Sequence, residues 1–239
     1  MKIFIDAGHN DSGWNTGATG NGLREQDVTF NVAKKLGDIL ATKGLTVRLS
    51  RPAKETILGT DNNSAINARW SLANEWSADY FLSIHCNAGG GTGTETYYYR
   101  DDSKTYAQVI QDTFVAEMGL GDRGIKYGTF AVIRYTTMQA ILIELAFIDT
   151  SADADILRNR QDDMASALAR GFIRLLGLSE EEDEMRYQTI EEIKKDLPWA
   201  AETIQKLIDK GYLKSLDLSK DMIRVFVVND EAGIYDLSK

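Results

Sequence analysis

KIFIDAGHN, residues 2–10, opens the chain with an apolar, β-branched run that ends in Asp-Ala-Gly and then a histidine. YFLSIHCNAGGG, residues 80–91, has the same shape, and the two phrases hold the only two histidines of a 239-residue chain. Each apolar run has the length and composition of a buried strand, and each histidine stands where that strand gives way to a glycine-rich loop. Working outward, short apolar runs alternate with amphipathic helical patterns. Strands are expected over 2–6, 45–49, 80–85, 94–99, 130–134 and 139–147. Helices are expected over 27–42, 64–76 and 103–118, with one or two more over 153–176. In the first of these, Val28, Val32, Leu36, Ile39 and Leu40 recur near helical spacing before Gly44 closes the helix. This alternation implies an α/β fold, a mostly parallel twisted sheet with helices on both faces.

The pattern stops at SEEEDE, residues 179–184, an acidic run that cannot pack. A principal domain is therefore expected over 1–178, an acidic linker over 179–186 and a small, mainly helical C-terminal module over 187–239. The module carries two helical patterns, TIEEIKK and PWAAETIQKLIDKG, then SKDMIRVFVVNDEAGIY. Pro198 suits the first turn of its helix and Gly211 its C-cap. The acidic run before Met185 could be encoded by purine-rich codons resembling a ribosome-binding site. An internal start there would release the module as a separate fragment, although a flexible linker is the simpler explanation.

Composition narrows the function. With 43% hydrophobic and 26% charged residues the chain is an ordinary globular protein. No apolar run is long enough for membrane insertion, and no basic head with an apolar core marks a signal peptide. Synthesis in the cytoplasm is expected. A single cysteine, Cys86, excludes an intrachain disulfide and a Cys-rich zinc knuckle. A net charge of −9 argues against nucleic acid as a partner. The loop after His9 fits neither GxGxxG nor a P-loop, and no GxSxG elbow is present.

Ligands of a parallel α/β sheet bind beyond the carboxyl ends of its strands, where His9 and His85 both fall. Glu25, in NGLREQDVTF, opens the long helix near the same sheet edge. Two imidazoles and a carboxylate make a His₂Glu set, which can hold a catalytic zinc and leave a position for water. Taken singly, a strand-end histidine is ordinarily a satisfied polar group, and a first-turn glutamate ordinarily complements the helix dipole. Glu144 interrupts the apolar run QAILIELAFID. A buried carboxylate there requires a partner. The alternatives are an ion pair with Arg69 or Arg123, or a place beside a metal as proton acceptor for an activated water. Cys86, next to His85 on a strand, should face the core.

These phrases resemble the zinc-dependent N-acetylmuramoyl-L-alanine amidases of bacteria and their phages, the amidase-3 type. The resemblance is carried by IDAGHN, GATGNGLREQDVTFNVAKKL, RLSR, ARWSLAN with SADYFLSIHCNAGGGTGTETYY, RGIKYGTFAVIR and MQAILIELAFIDT, in the family's order across residues 1–176. It implies Zn2+ ligands at His9, Glu25 and His85, and a catalytic glutamate at Glu144. Departures at Ala7, Asn10 and Gln139 touch none of these four. The implied reaction is hydrolysis of the amide joining N-acetylmuramic acid to L-alanine in peptidoglycan. Asn87, two residues past His85, is a candidate substrate contact.

A phage or prophage endolysin, acting on the cell wall after release, is the expected role. A host remodelling or sporulation amidase is the alternative, and a zinc hydrolase of another amide or ester and a non-enzymatic wall-binding protein stand against both. The module weakly resembles the surface-layer-homology type. Residues 179–239 hold 9 Lys+Arg against 15 Asp+Glu, a net of −6, so wall anionic polymers would repel it. Wall targeting through a shaped pocket, or self-association into a homodimer, is expected instead.

Overall fold

The computed structural model describes residues 1–178 and 186–213, together with 216, 218, 219, 222, 223, 226 and 227. The chain divides into two compact units, Met1–Gly177 and Leu178–Lys239.

In the first unit, β1 (Lys2–Ala7) leads through a short hairpin, β2 (Thr19–Gly20) and β3 (Leu23–Arg24), into α1 (Glu25–Thr42). Next come β4 (Thr46–Leu49), α2 (Asn62–Glu75), β5 (Tyr80–Asn87), β6 (Thr94–Tyr98) and α3 (Lys104–Met118). The unit closes with β7 (Asp122–Tyr127), the single-turn α4 (Ala131–Arg134), β8 (Gln139–Phe147), α5 (Ser151–Asn159) and α6 (Gln161–Leu175). Six strands form one sheet in the order β4-β1-β5-β8-β6-β7. Every neighbouring pair is parallel except β6 with β8.

The central strands are buried on both sides, which is why they read as nearly continuous apolar runs. On one face Ile3, Ile5, Leu82, Ile84, Ile141 and Ile143 pack beneath α1, α3 and α6. On the other, Phe4, Phe81, Ala140 and Leu142 pack against Ala73 of α2 and Val132 and Ile133 of α4. Residues two apart along a strand share a face. This second face therefore runs on, past its apolar part, to Asp6, Ser83, His85 and Glu144 at the carboxyl ends of the strands.

Three elements differ from the sequence expectation. Residues 131–134 form a helical turn rather than a strand, because a short apolar run has no periodicity to separate the two. β7 was not anticipated: DRGIKY is charged and only half-buried, the composition of a sheet edge. The β2–β3 hairpin was also missed, although its turn, Asn21-Gly22, has φ of 49° and 77°, the type I′ geometry that Asn-Gly favours.

In the second unit, β9 (Arg186–Tyr187) pairs antiparallel with β10 (Leu218–Ser219), and α7 (Ile190–Asp196) and α8 (Ala201–Asp209) supply the helices. Tyr187, Ile193, Ile204, Leu207 and Ile223 belong to its core. Thr189 and Glu192 close a capping box on α7. Pro198 lies in the turn before α8 rather than in its first turn. Gly211, with φ of 76°, follows the cap residue Lys210 and ends the helix. The acidic run, Met185 and most of the last segment lie outside the described residues.

Candidate active site

β1 ends against β5, where Gly8 N–H donates to the Ile84 carbonyl (3.0 Å). Thr29 Oγ1 of α1 donates to the Gly8 carbonyl (2.8 Å). Gly8 has no room for a side chain: a Cβ there would lie 2.5 Å from Cε1 of His85. The chain then turns through His9, whose φ of 67° is uncommon for a residue with a side chain. Asn10, fully buried, secures the turn. Its amide donates to the carbonyls of Trp14 (3.2 Å) and Leu58 (3.0 Å), and its Oδ1 accepts from Leu58 N–H (3.1 Å) and Arg69 Nη2 (3.3 Å).

The hairpin delivers Glu25 to the same place. Ala18 N–H donates to Glu25 Oε2 (2.8 Å), and Cys86 N–H donates to Oε1 (2.9 Å). Both carboxylate oxygens are thus aimed by backbone. The Cys86 side chain faces the helix-covered core, as expected, and only its N–H serves the site.

His9, Glu25 and His85 come together. His85 Nδ1 lies 3.1 Å from His9 Nε2 and 3.0 Å from Glu25 Oε1, and His9 Nε2 lies 3.1 Å from the same oxygen. Three donor atoms about a metal with bonds of ~2.0–2.1 Å in tetrahedral geometry are separated by roughly 3.3 Å, so this triangle has the size of a divalent-metal site. Gly17 keeps it open: a Cβ there would stand 2.7 Å from Glu25 Oε2 and 2.9 Å from His9 Cδ2. His9 Nδ1 is buried with no protein partner among the described residues. The donor set fits a metal ion that takes nitrogen and oxygen ligands.

Electrostatics sharpen the set. Burial pushes the His9 imidazole down, toward its neutral, ligating form. Burial, the largest single influence, opposes charge on His85, but the hydrogen bond with Glu25 and the negative charges of Glu25, Glu144 and Asp6 together outweigh it and raise that pKa. Burial alone would raise Glu25; hydrogen bonds with His85 and His9 overcome it and hold the carboxyl far below its usual range.

Glu144 stands opposite His85 in the β5–β8 register and opposite Glu95 in the β6–β8 register. Its Oε2 is buried without a hydrogen-bond partner among the described residues, and burial pushes the carboxyl up to about 7. Neither anticipated arginine meets it. Arg69 donates to Asp6 Oδ1 (2.6 Å), and Arg123 donates to Glu95 Oε2 (2.5 Å). Glu144 is thus poised to exchange a proton near neutral pH.

His9, Glu25, His85, Asn87, Phe130 and Glu144 contribute to the walls of a cavity of about 400 Å³. Asn87 reaches it and donates to Glu95 Oε1 (2.9 Å). Two groups were not singled out in the sequence. One is the buried pair Asp6–Arg69, in which Ser83 Oγ also donates to Asp6 (2.8 Å). Asp6, a carboxylate in an apolar run like Glu144, carried the same signal. The other is Glu95, whose partners on β7 come from an element that was not recognised.

Residues 3–174 match the protein family described as N-acetylmuramoyl-L-alanine amidase. A sporulation-specific N-acetylmuramoyl-L-alanine amidase of Bacillus subtilis is 41% identical over 176 residues, covering 72% of this chain and 65% of that protein. An endolysin of Bacillus phage SPP1 is 33% identical over 188 residues, covering 74% of this chain and 66% of that protein. The chain thus spans just under two thirds of the length of these two relatives. The crystal structure of an N-acetylmuramoyl-L-alanine amidase from Clostridium difficile 630 superimposes with a TM-score of 0.67 at 34% identity, covering 74% of this chain and 96% of that one.

Proposed function

Because the chain belongs to the N-acetylmuramoyl-L-alanine amidase family, we propose that it hydrolyses the amide between N-acetylmuramic acid and L-alanine in peptidoglycan. His9, Glu25 and His85 would hold a zinc ion, and Glu144 would carry the proton. One observation supports this most: a metal-sized triangle of donors lies in one cavity with a buried carboxylate that has no arginine or lysine partner among the described residues. Bound zinc supplies Lewis acidity toward the carbonyl and toward water.

The remaining steps belong to the protein. Glu144 takes a proton from the attacking water as its oxygen bonds to the lactyl carbonyl carbon. It then gives that proton to the alanine nitrogen as the C–N bond breaks, since an amide nitrogen leaves poorly unless protonated. Asn87, on the cavity wall, would contact the substrate. Mass spectrometry of digested peptidoglycan tests the reaction: new free L-alanine amino groups are expected, and new reducing sugar ends would overturn it. Glu144→Gln is expected to keep its zinc and lose cleavage. Unchanged cleavage would refute the role given to Glu144.

The enzyme would serve as a phage or prophage endolysin. The phage relative supports this role, and the sporulation-specific relative supports a host role. Expression beside a membrane-permeabilising protein should lyse susceptible cells if the lytic role holds. The second unit, with 15 acidic against 9 basic residues over 179–239, would recognise a neutral wall component by shape. Self-association is the alternative, and sedimentation distinguishes the two. Among the described residues no helix is long and apolar enough to cross a membrane.

A further inference from the structure

Glu95 has more cationic company than a buried carboxylate needs. It is 3% exposed and accepts from Asn87 Nδ2 (2.9 Å), the Tyr97 hydroxyl (2.6 Å), Arg123 Nε (2.5 Å) and Lys126 Nζ. One cation would neutralise it. Two leave the cluster with an excess positive charge, in a chain whose net charge is −9.

Both cations keep access to solvent, each side chain being 37% exposed. Arg123 spends Nε on Glu95 and brings Nη1 within 3.5 Å of the Thr92 carbonyl, while its Nη2 meets no acceptor among the described residues. The Phe147 ring, 4.9 Å from the guanidinium, supports the Arg123 head. The adjacent acid is engaged elsewhere: Asp122 Oδ1 accepts from Gln111 Nε2 (2.7 Å) and Gly124 N–H (2.8 Å).

The cluster adjoins the cavity through Asn87. Asn87 lines that cavity and bonds Glu95 directly. Strands β8, β6 and β7 are successive neighbours, so at ~4.8 Å per strand Arg123 is borne about 10 Å from the strand of Glu144. That is roughly the reach of three extended residues.

We propose that Arg123 and Lys126, gathered on Glu95 beside the cavity, form a subsite for a carboxylate of the substrate's peptide stem. This rests on the amidase function proposed for the cavity. With the lactyl-alanine amide at Glu144, the stem crosses the sheet edge toward β7 and brings the carboxylate of its second residue to the exposed guanidinium. Arginine suits this ligand because its planar donors match a carboxylate. Glu95 is a positioning residue, holding both cations at the rim.

The test uses the full zinc-loaded protein and two muropeptides that differ in one group. In one the second stem residue carries its free α-carboxylate, and in the other that group is an amide. The free form should be cleaved with kcat/KM about tenfold higher, mainly through KM, the scale of one charge-assisted hydrogen bond. Arg123→Gln with Lys126→Gln should remove the difference between the two substrates. Arg123→Lys, which keeps the charge and so spares the fold, should reduce it. Equal cleavage of both forms by the wild type overturns the subsite alone. Cleavage of neither overturns the amidase function and the subsite with it.

Discussion

Arg69→Met should cost the protein several kcal/mol at neutral pH, and the cost should shrink as the solution is acidified. Asp6 is fully buried and paired with Arg69 at 2.6 Å. Burial would raise its carboxyl, but Arg69 and the hydroxyls of Ser50 and Ser83 more than offset this and hold it below the ordinary value. In the wild type the contribution of the pair is therefore complete above the unfolded carboxyl pKa and is lost only as pH falls through the lower folded value. Without Arg69 the sign reverses, and the buried carboxyl must take up a proton to remain folded. From an unfolded pKa of about 3.9, that protonation costs about 4 kcal/mol near pH 7 and about 1.5 kcal/mol near pH 5. The neutral value agrees with the roughly 3–5 kcal/mol of breaking a buried pair from one side. Urea unfolding followed by circular dichroism at the two pH values measures the difference. Asp6→Asn combined with Arg69→Met should be far less pH-dependent than the single variant. A loss from Arg69→Met that is equal at both pH values would refute the reasoning.

Gly17→Ala places a Cβ 2.7 Å from Glu25 Oε2 and 2.9 Å from His9 Cδ2. Zinc titration of the metal-free protein should show affinity lower by about tenfold or more, the scale of losses around metal ligands, with the circular dichroism spectrum unchanged. Glu144→Gln should stabilise the metal-free protein. Burial lifts Glu144 to about 7, so the wild type loses stability as pH rises from about 4.3 to about 7, up to roughly 3–4 kcal/mol; urea midpoints that do not separate across this window would refute it.

The layered sheet was legible because β1, β5 and β8 are buried on both faces, and burial on both faces makes nearly every position along them apolar. α1 was legible because its apolar stripe recurs at helical spacing. β7 escaped because an edge strand needs no such stripe. The site was legible to the extent that polar side chains interrupt apolar runs, as Glu144 does. The partners of Glu144 were not. Arg69 and Arg123 were both available to pair with it, and only the strand order assigns one to Asp6 and the other to Glu95.

That assignment bears on chemistry. Asp6, Glu95 and Glu144 occupy the same sheet face, each buried or nearly so and each on a strand meeting the same edge. The fold gives Asp6 one arginine and Glu95 an arginine and a lysine, so cations are not scarce at this edge. Among the described residues Glu144, alone of the three, meets no arginine or lysine. If it served packing, glutamine would fill the same volume without the charge penalty. A carboxylate kept there at a cost to stability is intelligible where its proton must move, because a cation in contact would hold it ionised and too weak a base to take one. The stability that Glu144→Gln should gain and the cleavage it should lose are therefore two consequences of one missing partner.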